Sequence, residues 1–154
     1  MALTQFLNER LIKLNLIANN KIDVITELVD LMHSSGEIED KELFLESVIE
    51  REGMGSTGIG HGVAIPHGRA DVAKRLIIAF GRSPEGIEFD AIDNQKVNLF
   101  FMLAPPKGDM GLYLKALAEL ARLLNQEEFR KALVNARSPE EVIAIIDKFE
   151  KEPG

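Results

Sequence analysis

Cysteine is absent from the 154-residue sequence. This absence excludes disulfide scaffolds, thiolate zinc sites, iron–sulfur clusters and cysteine nucleophiles. The sequence also lacks any run of about 20 apolar residues, the length needed to cross a bilayer. Its polar first ten residues do not resemble a secretory signal. We therefore expect a cytoplasmic protein that does not insert into a membrane.

Basic residues are too few to balance the acidic ones. The chain has 18 lysines and arginines against 25 aspartates and glutamates, a net charge of −7. This charge repels phosphate backbones and argues against nucleic-acid binding. With 45% hydrophobic and 28% charged residues, the composition is that of a globular protein. The length predicts a single domain covering residues 1–154.

The distribution of apolar residues predicts an α/β fold with helices around a few buried strands. Leu76–Phe80 and Val97–Leu103 are nearly continuous apolar runs, which is typical of strands covered on both faces. Leu11–Leu16 is interpreted as a short strand, and Ser83–Gly86 as a turn. Helices are predicted from Lys21, from Asp40 to about Arg51, around Leu117–Leu124, from Glu127 to about Ala136, and after the N-cap Ser138.

Glycine is concentrated in one window, where six of the 12 glycines lie between Gly53 and Gly68. The segment Gly53–Gly58 matches the letters G-x-G-x-x-G of the dinucleotide fingerprint. That fingerprint follows a strand and opens a helix. Here a charged helical stretch precedes the glycines, and a short predicted strand, Val63–Ile65, follows them. The reversed order disfavours a nucleotide-binding enzyme, and the lysine of a P-loop is missing.

A histidine follows this short strand. Pro66 restricts the backbone before His67 and holds the imidazole at a defined angle. Arg51 and Arg69 supply positive charge, and Thr57 supplies a hydroxyl. A neutral imidazole beside cations and donors is suited to accept and pass on a phosphoryl group. The structural alternative is a histidine whose nitrogens are satisfied within a turn.

The glycine-rich window resembles the active-site signature of the fructose/mannitol type of phosphotransferase-system (PTS) enzyme IIA. This family includes nitrogen-regulatory relatives. The resemblance extends over the whole chain and implies a mixed β-sheet sandwiched by helices. The matching residues are Arg51-Glu52 and Ser56-Thr57-Gly58-Ile59-Gly60-x-Gly62-Val63-Ala64-Ile65-Pro66-His67-Gly68.

The resemblance implies a phosphotransferase that works through a phosphohistidine. His67 would accept a phosphoryl group from the carrier protein HPr and donate it to an enzyme IIB, in uptake of a fructose- or mannitol-like sugar. Arg51 would stabilise the phosphoryl charge, and the Thr57 hydroxyl could bond to the ring or to the phosphate. No metal or other cofactor is required. Enzyme IIB domains of this class use a cysteine, so the IIB partner is expected on a separate chain.

A regulatory alternative follows from the nitrogen-type relatives. In that role, the phosphorylation state of His67 would control binding to other proteins, and no sugar would be moved. A phosphoryl group adds about −1.5 to −2 charge, enough to reject a partner that docks over the histidine.

Three further residues could have functional or purely structural roles. Tyr113 occupies the place where many family members carry a second histidine, and it either orients a phosphate oxygen or simply packs. His61 makes a poor metal pair with His67 because no carboxylate pair lies near it in the sequence. His33 ends the first long helix, where its ring suits the helix dipole.

A partner is expected to dock on an apolar surface around His67 that is ringed by charge. The candidates are Met54, Ile59 and Val63 for the apolar surface, and Arg51, Arg69 and Lys107 for a basic patch.

Overall fold

The computed structural model describes residues 1–152, which contain five α-helices and one five-stranded sheet. Two short 3-10 turns, Leu3–Phe6 and Glu9–Leu11, precede them. The strands are β1 Ile12–Lys13, β2 Gly58–Gly60, β3 Val63–Ala64, β4 Ile77–Ile87 and β5 Val97–Ala104. The helices are α1 Lys21–Ser34, α2 Lys41–Gly53, α3 Met110–Leu124, α4 Glu127–Asn135 and α5 Pro139–Lys151.

The sheet is mixed, with the strand order β1-β4-β5-β3-β2. An antiparallel pair, β4 and β5, forms its centre. β1 runs parallel to β4, β3 runs parallel to β5, and β2 pairs antiparallel with β3. Helix α1 packs against β4 and α4 packs against β5. The predicted α/β fold with a mixed sheet between helices is confirmed.

The two central strands are buried on both faces, as their continuous apolar sequences predict. Nearly every residue of β5 is buried, and so are the first five of β4. Phe80 and Phe101 pack against each other across the pair, with ring centroids 4.8 Å apart and an interplanar angle of 45°. The core is therefore centred on β4 and β5, and it gives the strand ends a fixed position.

Side-chain caps mark the starts of α1, α2 and α5. Asn20, Asp40 and Ser138 each accept a hydrogen bond from the backbone N–H three residues later. Pro139 occupies the first position of α5, where its missing N–H costs no hydrogen bond. The predicted starts of these three helices are confirmed. Within residues 1–152, no helix is both long and apolar enough to traverse a bilayer.

The strand predicted over Leu11–Leu16 is shorter in the structure. Leu11 belongs to a 3-10 turn, and only Ile12 and Lys13 pair with β4. Beyond them, the Arg82 guanidinium binds the Leu14 carbonyl at 3.1 Å and takes the place of a ladder hydrogen bond. The contact between Arg82 and Leu14 joins residues that are far apart in the sequence, so no local pattern predicts where β1 ends.

The turn predicted at Ser83–Gly86 lies inside β4 as an irregularity. The pairing register with β5 shifts between Arg82 and Ile87. Gly86 has a φ of +82°, and its N–H donates to the Ser83 hydroxyl at 3.2 Å. The local turn chemistry is present, but the strand resumes its pairing at Ile87, so the chain does not reverse there.

Candidate functional site

His67 lies just beyond β3, beside the end of β5. The Leu103 N–H donates to the Pro66 carbonyl at 3.2 Å, and His67 forms an isolated parallel bridge with Leu103. Gly68 follows against α2, where a Cβ would lie 2.9 Å from the Val48 nitrogen. Pro66 restricts the backbone before His67, and the contact between Gly68 and α2 restricts it afterwards. The imidazole therefore has little freedom to move.

One nitrogen of His67 has a fixed role. Nδ1 lies 2.9 Å from the Ile65 carbonyl oxygen. A carbonyl only accepts, so Nδ1 carries the proton and Nε2 holds the free lone pair. Burial of the half-buried ring lowers the pKa of His67, and the positive charges of Arg51 and Arg69 act in the same direction. The hydrogen bond to Ile65 and the charge of Glu52 raise this pKa, but the net shift is downward. The ring is therefore neutral near pH 7 and nucleophilic at Nε2.

Arg51 reaches this site from the last turn of α2. Its Nη1 donates to the Gly55 carbonyl at 2.8 Å. Gly55 has a φ of +148°, a conformation that favours glycine, so the loop can fold back under the guanidinium. The guanidinium has five N–H donors, and those not used by Gly55 can bind an anion at His67.

Thr57 is buried, and its hydroxyl donates to the Glu52 carboxylate. Its backbone N–H donates to the same carboxylate at 3.0 Å. Lys21, at the start of α1, completes the arrangement with its Nζ 3.0 Å from Glu52. Thr57 therefore fixes the loop that follows Arg51, and its hydroxyl proton is donated to Glu52 and not to the His67 ring.

Sequence reasoning missed the roles of Glu52 and Lys21. The available signal was the position of Glu52, four residues after the inward-facing Val48, which puts a carboxylate on the buried face of α2. A buried carboxylate requires a cationic or donating partner. No local pattern shows that this partner is Lys21, 31 residues earlier in the chain.

Tyr113 lies in the first turn of α3 and faces His67. The two ring centroids are 6.2 Å apart with an interplanar angle of 60°. Burial raises the pKa of Tyr113 to about 12, while the charges of Arg51 and Arg69 oppose this rise. Its buried hydroxyl has no hydrogen-bond partner among residues 1–152. Tyr113 is thus both a packing residue and a neighbour of His67.

The other two histidines have separate environments. His61 turns the chain between β2 and β3 with a φ of +58°, and its N–H donates to Asp93 at 3.0 Å. His33 is exposed in the last turn of α1. No cluster of three or more histidine, aspartate or glutamate residues in the described part of the chain could hold a metal ion.

The expected docking surface needs two corrections. Val63 is 1% exposed and belongs to the core, because β3 is an inner strand of the sheet. Lys107 is not a free cation, since its Nζ lies 2.7 Å from the Glu39 carboxylate. Met54 and Ile59 are exposed as expected. Two further exposed apolar side chains flank Tyr113 on α3, and the sequence reasoning missed both of them: Met110 and Leu114.

Comparison with known protein families gives one match over almost the whole chain. Residues 5–149 match the model of the phosphoenolpyruvate-dependent sugar phosphotransferase system, EIIA 2.

Three similar proteins illustrate the range of this family. The fructose-specific EIIABC component of Bacillus subtilis is 38% identical over 98% of this chain, which spans 24% of that protein. The fructose-specific EIIA component of Haloferax volcanii is 37% identical, and the match covers 82% of each chain. The crystal structure of the nitrogen regulatory protein IIA-Ntr from Neisseria meningitidis superposes with a TM-score of 0.87, at 34% identity, covering 95% of this chain and 99% of that one.

Proposed function

Because the chain belongs to the EIIA 2 family of the phosphoenolpyruvate-dependent sugar phosphotransferase system, we propose that it is a phosphocarrier acting through His67. It accepts a phosphoryl group from an HPr-type phosphohistidine and donates it to a separate enzyme IIB during uptake of a fructose- or mannitol-like sugar. The observation that carries this proposal is the hydrogen bond from Nδ1 to the Ile65 carbonyl, which leaves Nε2 unprotonated beside Arg51.

In the first step, the Nε2 lone pair attacks the phosphorus of the donor phosphohistidine. A new N–P bond forms as the donor's N–P bond breaks, and the donor nitrogen keeps the bonding electron pair. The ring of His67 becomes more positive during this step. The Ile65 carbonyl stabilises that charge through the Nδ1 proton.

The phosphoryl oxygens carry the negative charge through the transfer. Phosphoryl transfer depends mainly on positioning and charge neutralisation. The guanidinium of Arg51 supplies both from the end of α2, and Arg69 adds a second positive charge. In the onward step, a thiolate of the IIB partner attacks the same phosphorus, and Nε2 takes back its lone pair.

A regulatory function is the second candidate. It is favoured by the likeness to the nitrogen regulatory protein of Neisseria meningitidis, which extends over 95% of this chain. In this role the same phosphohistidine forms, and the added charge changes which proteins bind the exposed apolar side chains nearby. Neighbouring genes for a IIB and a permease favour transport, and a neighbouring nitrogen sigma-factor gene favours regulation.

The test of the shared step is phosphorylation in solution. Incubation with phosphoenolpyruvate, enzyme I and HPr is expected to add one acid-labile phosphoryl group, detected by intact mass. His67→Ala abolishes the adduct, whereas the control His61→Ala retains it. Arg51→Ala folds normally but accepts phosphate about 10²-fold more slowly, as expected for loss of a donor to developing charge. A wild-type chain that gains no phosphate contradicts the proposal.

A further inference from the structure

We propose that the Tyr113 hydroxyl donates a hydrogen bond to the phosphoryl group on His67 and shifts the transfer equilibrium toward the phosphorylated protein. This inference rests on the phosphocarrier function proposed above. It assigns to Tyr113 a role in the phosphorylated state only, distinct from packing.

The first observation is the state of the hydroxyl in the unphosphorylated protein. Tyr113 is only 6% exposed, and its hydroxyl is buried without a hydrogen-bond partner in residues 1–152. A buried hydroxyl without a partner destabilises a fold, and buried polar groups are otherwise nearly always paired. Phenylalanine would fill the same space without this cost. Packing therefore explains the ring of Tyr113 but not its oxygen.

The second observation is what surrounds this hydroxyl. The ring of Tyr113 meets that of His67 edge to face at 6.2 Å. The charges that act on the Tyr113 hydroxyl are those of Arg51 and Arg69, and the same two guanidiniums act on His67. The positive charges of Arg51 and Arg69 thus act on both the imidazole and the phenol beside it. The two guanidiniums and the phenol are a set of donors to which an anion is complementary.

Phosphorylation of Nε2 supplies hydrogen-bond acceptors for these donors. A phosphoryl group has three strong acceptor oxygens. The phenol keeps its proton throughout the neutral pH range, because the pKa of Tyr113 is about 12. It can therefore donate at any working pH. The hydrogen bond exists only in the phosphorylated protein, so its free energy goes entirely into the equilibrium between the two states.

The test compares Tyr113→Phe with the wild type in two measurements, the transfer equilibrium and the melting temperature. The equilibrium constant for transfer from phospho-HPr to the variant should fall about tenfold or more, the range for losing a hydrogen bond to a charged group. The melting temperature of the unphosphorylated variant should equal or exceed that of the wild type, because an unpaired buried hydroxyl has been removed. Thr26→Val is the matched control, since it removes a hydroxyl bonded only within α1. The control should leave the transfer equilibrium unchanged.

Two outcomes overturn the assignment. One is a transfer equilibrium for Tyr113→Phe equal to that of the wild type. The other is a melting temperature of Tyr113→Phe that lies below that of the wild type by the same amount in the phosphorylated and the unphosphorylated protein. Such a result would show that the hydroxyl stabilises both states alike. In either case the wild type would still be phosphorylated, so the failure is distinct from failure of the phosphocarrier function itself.

Discussion

At His67, three physical effects act on one imidazole. Burial disfavours the charged ring, two guanidiniums oppose protonation, and the Ile65 carbonyl fixes the proton on Nδ1. Burial and the two guanidiniums keep the ring neutral, and the Ile65 carbonyl leaves the free lone pair on Nε2. The histidine and its two arginines could be predicted from the sequence, because they lie in or beside one glycine-rich window. The carbonyl partner depends on the backbone path after Pro66 and emerges only in the structure.

The lowered pKa of His67 makes stability depend on pH. In the unfolded chain a histidine titrates at a pKa of about 6.5. Between that value and the lower folded pKa, the unfolded chain binds more protons than the folded protein. The free energy of unfolding therefore rises with pH in this window and falls on acidification.

We expect His67→Gln to lose less stability than the wild type between pH 7.5 and pH 5.5, measured by urea unfolding at both values. The other titrating groups are common to both proteins and cancel in the comparison. An equal loss in the two proteins would contradict a depressed pKa at His67.

At the scale of elements, the site is assembled where three pieces meet. The end of α2 supplies Arg51, the exit from β3 supplies His67, and the first turn of α3 supplies Tyr113. The starts of α1, α2 and α5 were predictable, since each depends on a side-chain cap next to its first residue. The short β1 was not, because it depends on a contact that Arg82 makes across the sheet. The irregularity in β4 was not either, because only the pairing of Ile87 with Val97 shows that the strand continues past the turn. Arg82 also donates to the Leu133, Val134 and Ala136 carbonyls at the end of α4.

The close approach of Gly68 to α2 gives a prediction about these elements. An added Cβ at Gly68 would collide with the Ser47 hydroxyl and lie 2.9 Å from the Val48 backbone nitrogen. Since helix backbone cannot yield easily, Gly68→Ala should destabilise the fold by about 1–3 kcal/mol and displace His67. Denaturant unfolding measures the first effect, and the rate of phosphoryl acceptance the second.

Gly111→Ala is the matched control for this change. Gly111 lies in α3, where an added Cβ comes no closer than 3.7 Å to the Asp109 carboxylate. Alanine favours a helix over glycine by about 1 kcal/mol, so this variant should be as stable as the wild type or more so. If both substitutions have the same effect on stability, the contact between Gly68 and α2 is not the cause.

At the scale of the whole molecule, charge and exposed apolar area are distributed unevenly. The chain carries a net charge of −7, yet the positive charges of two arginines act on His67. Exposed apolar side chains accompany them, with Met110 and Leu114 on either side of Tyr113 in the sequence. Polar surfaces with a small apolar centre are typical of transient protein interfaces. A single sequence reveals the apolar residues, but the fold decides which are exposed: Val63 is buried while Leu114 is not.

This distribution predicts that Leu114 contacts the phosphoryl donor during docking. Leu114 is 57% exposed, so Leu114→Glu should fold normally. Burying a carboxylate against the partner costs about 2 kcal/mol or more, which corresponds to a KM for phospho-HPr about 30-fold higher. The kcat should change little, because the residue does not touch the phosphoryl group.

Ile17→Glu is the control, because Ile17 is 84% exposed and lies away from His67. The preceding residue, Leu16, donates its N–H to the Arg82 carbonyl of β4. Arg82 lies four residues along β4 from Ile78, which pairs with Leu103 beside His67. An equal rise in KM for both variants would show that the added charge acts on the approach of the partner at long range, and the docking surface around His67 would then be wrongly placed.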